Sequence, residues 1–215
     1  MITAHGGALG TGRNSRLYFA SADNFMCDAL EVDVRHRGEY LYLDHGPSIF
    51  GSYGKLPLTY AFEVVKDRNL MINCDLKNSN IAGRVEALAL KSGVEDRVIY
   101  TGSIYEREAM GLTHGRAFFN QLDNLPYRPG NAAAIRRRLE SYKNPVFAGI
   151  NVNKLLVDDS FLEECVYEGV KVSLFTINTR REAVRYSEMN LYNITTNIPD
   201  TVRSLTRNVG LSGAM

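Results

Sequence analysis

Three cysteines in 215 residues, Cys27, Cys74 and Cys165, are too few and too widely spaced for a disulfide framework or a cysteine-rich zinc site. A reducing compartment suits them. No run approaches the roughly 20 apolar residues of a membrane span. The opening Met1-Ile2-Thr3-Ala4-His5 runs straight into a strand-like segment, without the basic and apolar regions of a secretory signal. The expectation is a cytoplasmic protein. An excess of one charge is missing too: 25 basic residues stand against 24 acidic ones, a formal net charge of +1. That mixture leaves no electrostatic footprint for nucleic acid or an anionic membrane. The densest basic run, Arg136-Arg137-Arg138, falls in a predicted amphipathic helix and reads as a solvated face. A Gly-rich phosphate loop is also absent, since Gly6-Gly7-Ala8-Leu9-Gly10-Thr11-Gly12 matches neither GxGxxG nor a P-loop ending in Gly-Lys-Ser/Thr.

What the chain does have is an alternation with no linker in it. At 45% hydrophobic and 23% charged residues the composition excludes disorder, and the length fits one domain, residues 1–215, with a full core. Apolar runs of strand length occupy residues 2–5, 29–34, 70–76, 97–101, 116–120, 146–150, 171–177 and 191–196. Segments of helical periodicity lie between them at 15–27, 58–66, 81–91, 132–142, 160–167 and 180–186. Repeated βα units predict a parallel sheet flanked by helices, and eight of them close an α/β fold of the (β/α)8 TIM barrel type. An open doubly wound sheet is the alternative, but it usually carries the Gly-rich turn that is missing here. One element breaks the alternation. After residue 34 a polar turn, Arg35-His36-Arg37-Gly38-Glu39, leads at once into a second apolar run at 40–43. A parallel crossover needs about a dozen residues, so this run must return as the antiparallel arm of a hairpin. A turn centred near Arg37-Gly38 brings His45 back to within a residue or so of the level of Glu31, at the barrel mouth.

Glu31 and Asp33 are two apart on one predicted strand, so both side chains point to the same face. Asp75 and Lys77 repeat the arrangement on the strand at 70–76, again at the C-terminal end, where barrel enzymes place their catalytic groups. Confined carboxylates repel and need a cation or a proton to coexist. Three of them without nearby cysteine suit a hard ion, so one divalent cation, Mg²⁺ or Ca²⁺, is expected rather than zinc. His5 ends the first strand and His45 ends the hairpin arm, flanking the acidic cluster with two imidazoles. Such a pair suits general acid and base work on a phosphoryl centre. A lone histidine at a strand end is more often structural, and a Glu-x-Asp pair more often solvated or capping. The weight lies in five such groups falling on one rim. His36, in the turn, and His114, at the end of a loop, lack that company and read as structural.

The order of motifs resembles the glycerophosphodiester phosphodiesterase family, which includes the related spider-venom phospholipase D enzymes. His5-Gly6-Gly7 stands for its His-Arg-Gly, Arg13-Asn14-Ser15 for its Glu-Asn-Thr, and Ala29-Leu30-Glu31-Val32-Asp33-Val34 for its Ala-Ile-Glu-Leu-Asp-Val. Leu43-Asp44-His45-Gly46-Pro47 takes the place of Ile-His-Asp-Pro, and Ile72-Asn73-Cys74-Asp75-Leu76-Lys77 that of the Ile-Glu-Ile-Lys strand. Late in the chain, Phe175-Thr176-Ile177-Asn178-Thr179 resembles Trp-Thr-Val-Asn, and Ile194-Thr195-Thr196-Asn197-Ile198-Pro199-Asp200 resembles Ile-Thr-Asp-x-Pro. The resemblance runs from His5 to Asp200. It implies that Glu31, Asp33 and Asp75 bind the metal, that His5 and His45 act as acid and base, and that Lys77 holds phosphate, with Arg13 and Phe175 as further substrate contacts. The implied substrate is a small-molecule phosphodiester, attacked by a neighbouring hydroxyl or water.

The chain also departs from the family pattern. Gly6 replaces an Arg and so loses a bidentate phosphate contact, for which Arg13 or Arg16 is the candidate substitute. Gly46 replaces an Asp, and Asp75 replaces a Glu, as in the venom relatives. The insertion after the second histidine shrinks to a short loop at 46–55, which implies a smaller or more open substrate site. The expected activity is metal-dependent hydrolysis of a glycerophosphodiester or similar alcohol-phosphate diester. Its alternatives are a catalytically weak barrel that binds a phosphorylated ligand or a partner, and a carboxylate-metal sugar isomerase. Oligomeric state leaves no signature in the sequence.

Overall fold

The computed structural model describes residues 1–47 and 51–212. Of the short loop at 46–55, residues 48–50 lie outside the described residues. Among the described residues nine strands form: β1 (Ile2–Ala4), β2 (Ala29–Arg37), β3 (Tyr40–Leu43), β4 (Met71–Leu76), β5 (Val98–Gly102), β6 (Arg116–Phe119), β7 (Phe147–Asn153), β8 (Val172–Ile177) and β9 (Asn193–Thr196). The helices are α1 (Arg16–Ala20), α2 (Leu58–Asp67), α3 (Ala82–Ser92), α4 (Glu106–Ala109), α5 (Ala132–Ser141), α6 (Asp159–Tyr167), α7 (Arg180–Ser187) and α8 (Pro199–Ser212). Eight strands pair in parallel in the ring β1-β2-β4-β5-β6-β7-β8-β9, which β9 closes back onto β1. This is the expected (β/α)8 barrel. The ninth strand, β3, pairs antiparallel with the outer half of β2, from Val34↔Leu43 to Arg37↔Tyr40. Its two-residue turn is Gly38-Glu39, one position beyond the expected centre, and Gly38 has the positive φ of 55° that such a turn requires.

Alternation along the strands sorts residues between two environments. Leu30, Val32 and Val34 of β2, Ile72, Cys74 and Leu76 of β4, and Val172 and Leu174 of β8 belong to one apolar cluster with Phe62, Val65, Val85, Ile135, Phe161 and Val202 of the helices. The opposite set turns inward and is largely polar. Thr3, Asn73, Thr101, Asn151, Ser173, Asn193 and Thr195 are all buried. They satisfy one another: Thr3 Oγ1 donates to Asn193 Oδ1 (2.9 Å), Asn193 Nδ2 to Ser173 Oγ (3.0 Å), and Thr101 Oγ1 to Asn73 Oδ1 (2.9 Å). Each pairing removes the penalty of burying an unsatisfied polar group.

Helix ends follow local chemistry. Ser15 caps α1, Asp158 caps α6, and Thr179 with Glu182 forms a capping box on α7. The helix expected over 15–27 is shorter: α1 ends at Ala20 and a 3-10 turn, Ala22–Asn24, follows. The run Ser21-Ala22-Asp23-Asn24 explains this, because Ser, Asp and Asn compete for backbone hydrogen bonds and favour caps and turns. Two helices lie outside the expected segments, the four-residue α4 and the longer α8, which Pro199 opens.

The seam between β1 and β2 matters most for the site. The three-residue β1 pairs with β2 only at Thr3↔Ala29 and Ala4↔Leu30. Beyond that point side chains replace the ladder. The fully buried Tyr18 hydroxyl accepts from Glu31 N–H (3.1 Å) and donates to Ala4 O (2.8 Å), while Asn14 Oδ1 accepts from Asp33 N–H (3.1 Å). The hairpin completes the seam, with Asp44 N–H donating to Asp33 O at 3.0 Å.

Candidate active site

A cavity of about 160 Å³ opens at the C-terminal end of the barrel. His5 enters it from the end of β1, Glu31 and Asp33 from β2, His45 from the segment after β3, Asp75 and Lys77 from the end of β4, and Phe175 from β8. These are seven of the eight residues singled out from the sequence. The eighth, Arg13, lines a neighbouring groove with Arg16, His45 and Lys55, yet its charge still reaches His5. The hairpin register sets Val34 opposite Leu43, so His45 falls at the level of Val32, within a residue of Glu31 as expected. A larger groove, of about 420 Å³, lies at the opposite end of the barrel beside Lys143 and Lys171 and holds neither a histidine nor a carboxylate pair.

Glu31, Asp33 and Asp75 each offer an oxygen within 4.8 Å of the others, and among the described residues this is the one such cluster of possible metal ligands. Asp33 is its hub. Its Oδ1 accepts from Lys77 Nζ (2.9 Å) and faces His45 Nδ1 (3.1 Å), and its Oδ2 accepts from Asn14 Nδ2 (2.8 Å). Lys77 Nζ also donates to Asp75 Oδ2 at 2.5 Å. Glu31 Oε2 accepts from the Gly6 N–H at 2.6 Å. Two glycines make room for these carboxylates. A Cβ at Gly6 would lie 3.0 Å from Glu31 Oε2, and one at Gly102 would lie 2.0 Å from Asp75 Oδ1.

Burial, and then repulsion from Asp33 and Asp75, pushes the Glu31 carboxyl well above the usual range. Burial also raises Asp75, against the pull of Lys77. At Asp33 burial acts in the same upward sense but is outweighed by Lys77, Asn14 and His45, so its net direction is down. Burial alone would lower Lys77, but Asp75 and Asp33 outweigh it and hold the ammonium charged. One ammonium thus faces three carboxylates, two of which resist ionisation, chiefly through burial. An all-oxygen donor set with unmet negative charge fits a hard divalent cation.

The two histidines are held differently. His5 Nδ1 lies 2.9 Å from Asn197 Oδ1, and Asn197 Nδ2 donates to Asn178 Oδ1 at 2.9 Å. With its amide nitrogen committed, Asn197 presents oxygen to His5. That places the His5 proton on Nδ1 and leaves Nε2 as the free acceptor. Burial lowers the His5 pKa and keeps the ring neutral. His45 is half exposed and turns Nδ1 toward the buried Asp33 carboxylate. The holders Asn14, Tyr18 and Asn197 had no role in the sequence pattern. Asn14 and Asn197 fall inside the quoted motifs, but neither spacing nor periodicity reveals what an amide touches. The structural readings of His36 and His114 agree with their exposed contacts to Gly38 O and Asp96.

The fold and the placement of this cavity define a (β/α)8 barrel with an acidic, histidine-flanked site on its C-terminal face. No family model matches the chain, and no curated protein matches it in sequence. Solved structures do match. A glycerophosphodiester phosphodiesterase from Parabacteroides distasonis superposes with a TM-score of 0.74 at 15% identity, over 97% of each chain. A phosphodiesterase from Oleispira antarctica, in complex with the product sn-glycerol-3-phosphate, superposes with a TM-score of 0.73 at 18% identity, over 96% of each chain. The glycerophosphodiester phosphodiesterase of Thermotoga maritima gives 0.67 at 16% identity, over 98% of this chain and 97% of the other. At such identities the likeness is one of fold.

Proposed function

We propose that the chain is a single-domain, metal-dependent phosphodiesterase of the glycerophosphodiester phosphodiesterase family. Its substrate on this reading is a glycerophosphodiester or similar alcohol-phosphate diester. The observation that carries this is the convergence of Glu31, Asp33, Asp75, Lys77, His5 and His45 on one cavity. The named activities of proteins with the same barrel support it. Mg²⁺ or Ca²⁺ held by Glu31, Asp33 and Asp75 would offset the charge of the non-bridging phosphoryl oxygens. Lys77 Nζ adds a second positive charge beside them. His5, neutral and with Nε2 free, accepts the proton of the attacking hydroxyl or water as its oxygen bonds to phosphorus. His45 donates a proton to the departing alcohol oxygen as that P–O bond breaks. Attack by a neighbouring hydroxyl of the substrate gives a cyclic phosphate; attack by water gives the monoester.

A second reading, a barrel that binds a phosphorylated ligand without turnover, draws on Gly6. It leaves the cavity without the cationic side chain that the family motif carries there. Hydrolysis of bis(4-nitrophenyl) phosphate and glycerophosphoglycerol, with Mg²⁺, Ca²⁺ or chelator, tests the first reading against the second. Turnover lost to chelator, to His5→Ala and to Glu31→Ala is the expected result. Turnover indifferent to all three rejects the catalytic assignment. No turnover, with phosphorylated ligands raising the melting temperature, favours the second reading.

A further inference from the structure

Beside the cavity, and sharing His45 with it, runs a groove of about 490 Å³. Its volume lies within the roughly 300–1,000 Å³ of ordinary small-ligand sites. The neutral polar groups along it are turned inward. Asn14 is committed at both amide atoms to Asp33, and Ser15 Oγ donates to Thr11 O (2.7 Å) and accepts from Tyr18 N–H (3.1 Å). What faces the groove is positive charge, from Arg13, Arg16 and Lys55. Its one described carboxylate, Asp44, pairs with Lys55 at 3.1 Å. Arg13 and Arg16 are exposed, and among the described residues neither guanidinium has a carboxylate or carbonyl partner. Arg16 is held in place all the same. Its Cζ lies 5.1 Å from the centre of the Tyr60 ring, which packs edge-on against the buried Phe19. A guanidinium on an aromatic face keeps its in-plane N–H donors for a ligand. Arg13 adds to burial in lowering the His5 pKa, so its charge is felt in the cavity. Against the motif it resembles, the chain has Gly6 in place of Arg and Arg13 in place of Glu. One cation fewer lies in the cavity, and one more stands in the groove.

We propose that this groove binds a second phosphate, a monoester carried on the departing alcohol of the diester, with Arg13 and Arg16 as its contacts. This rests on the phosphodiesterase reading for the chemical step, in which His45 protonates the departing oxygen. The alcohol that leaves on the His45 side is the one whose substituent enters the groove. A phosphate monoester suits two free guanidinium groups, each able to give parallel N–H···O bonds. A quaternary ammonium would meet like charge there. The inference goes beyond that reading in giving the substrate a second anion and naming the residues that select it.

Glycerophosphoglycerol and its derivative with a phosphate monoester on the terminal hydroxyl differ only in that group, so their kcat/KM ratio reads the groove directly. A ratio of at least about tenfold in favour of the phosphorylated diester is expected, a factor within reach of hydrogen bonds to charged groups. The phosphorylated glycerol should be the one released. Replacing both arginines, Arg13→Gln with Arg16→Gln, should bring the ratio down by a similar factor, chiefly through KM. Calorimetric titration of propanediol bisphosphate against propyl phosphate reads the same groove without turnover. The bisphosphate should bind about tenfold more tightly and lose that advantage in the double variant. If neither diester is cleaved but the bisphosphate keeps an advantage that depends on the arginines, the groove stands and the phosphodiesterase reading fails. If glycerophosphoglycerol is cleaved as well as its phosphorylated form, the second anion is overturned while the reaction stands. A preference that survives the double variant also overturns the proposal, because other cations then supply it. Release of unphosphorylated glycerol from the phosphorylated diester overturns it too, by placing the extra phosphate on the retained alcohol.

Discussion

The two imidazoles of the cavity invite comparison because they line one cavity from unlike surroundings. His5 is tied to a strand end, partly buried, and braced by a neutral amide that is itself braced by a second amide. His45 arrives on a hairpin arm, half in solvent, and rests on a carboxylate that also belongs to the acidic cluster. Burial favours an uncharged ring against the opposing pull of the Asn197 hydrogen bond, and that bond leaves one nitrogen free, which is the state of a proton acceptor. A ring backed by an anionic group and open to water is suited to giving a proton up and regaining it. On the proposed reaction, this asymmetry of environment would divide the roles.

Removing either ring should have the largest effect. His5→Ala and His45→Ala are each expected to lower kcat on bis(4-nitrophenyl) phosphate by about 10²–10⁴-fold. The double variant should be little worse than either single one, since the two act as a unit. Fully additive losses in steady-state rates would separate their roles.

Tyr18→Phe probes the wall behind the acidic pair. It strands Glu31 N–H and Ala4 O and should cost about 1–3 kcal/mol in urea unfolding. An unchanged midpoint would mean that other groups close the seam.

Asn197→Asp attacks the comparison itself by giving His5 the anionic support that His45 already has. Burial now holds the His5 pKa below its ordinary value of 6.5, so the ring stays neutral as pH falls toward that value. A carboxylate favours the charged ring, so the limb of the kcat/KM profile that reports His5 should move to higher pH. On that limb, activity at a fixed mildly acidic pH should fall by about tenfold for every pH unit the limb travels. A profile that does not move would remove Asn197 from any role in setting the state of His5.

The smallest effect is expected at Glu182, away from both rings. Hydrogen bonds from Lys154, Asn178 and Thr179 outweigh burial and hold its carboxyl down at about 2, against an ordinary value of 4.5. The stabilisation this gives is complete above 4.5 and is lost as pH falls toward 2. Glu182→Gln should therefore be less stable than the parent at neutral pH, by under about 1 kcal/mol. That gap should close through the same acid window in thermal melts.

The barrel is legible in the sequence because its outer face is periodic. Leu30, Val32 and Val34 announce a strand, and Glu31 and Asp33 between them announce a charged mouth. The polar interior is less legible. Asn73, Ser173 and Asn193 interrupt apolar runs, and their partners come from other strands 20 or more residues away, leaving no trace in local spacing. The same holds for the supports of the site. Asn14 takes a left-handed φ of 51°, a turn signature, but its reach to Asp33 depends on where β1 stops. Short α4 and the break after Ala20 fall below what periodicity resolves. The hairpin is legible for a different reason: a connection of five residues excludes a parallel return, an argument from length rather than from residue type.

The stitching of the β1–β2 seam by Tyr18 and Asn14 makes ring closure and site assembly a single event. A chain with every helix formed but with this seam open would keep Glu31 and Asp33 on the β2–β4 ladder while parting them from His5 at the end of β1. On the proposed reaction, activity would report on the closing of that join.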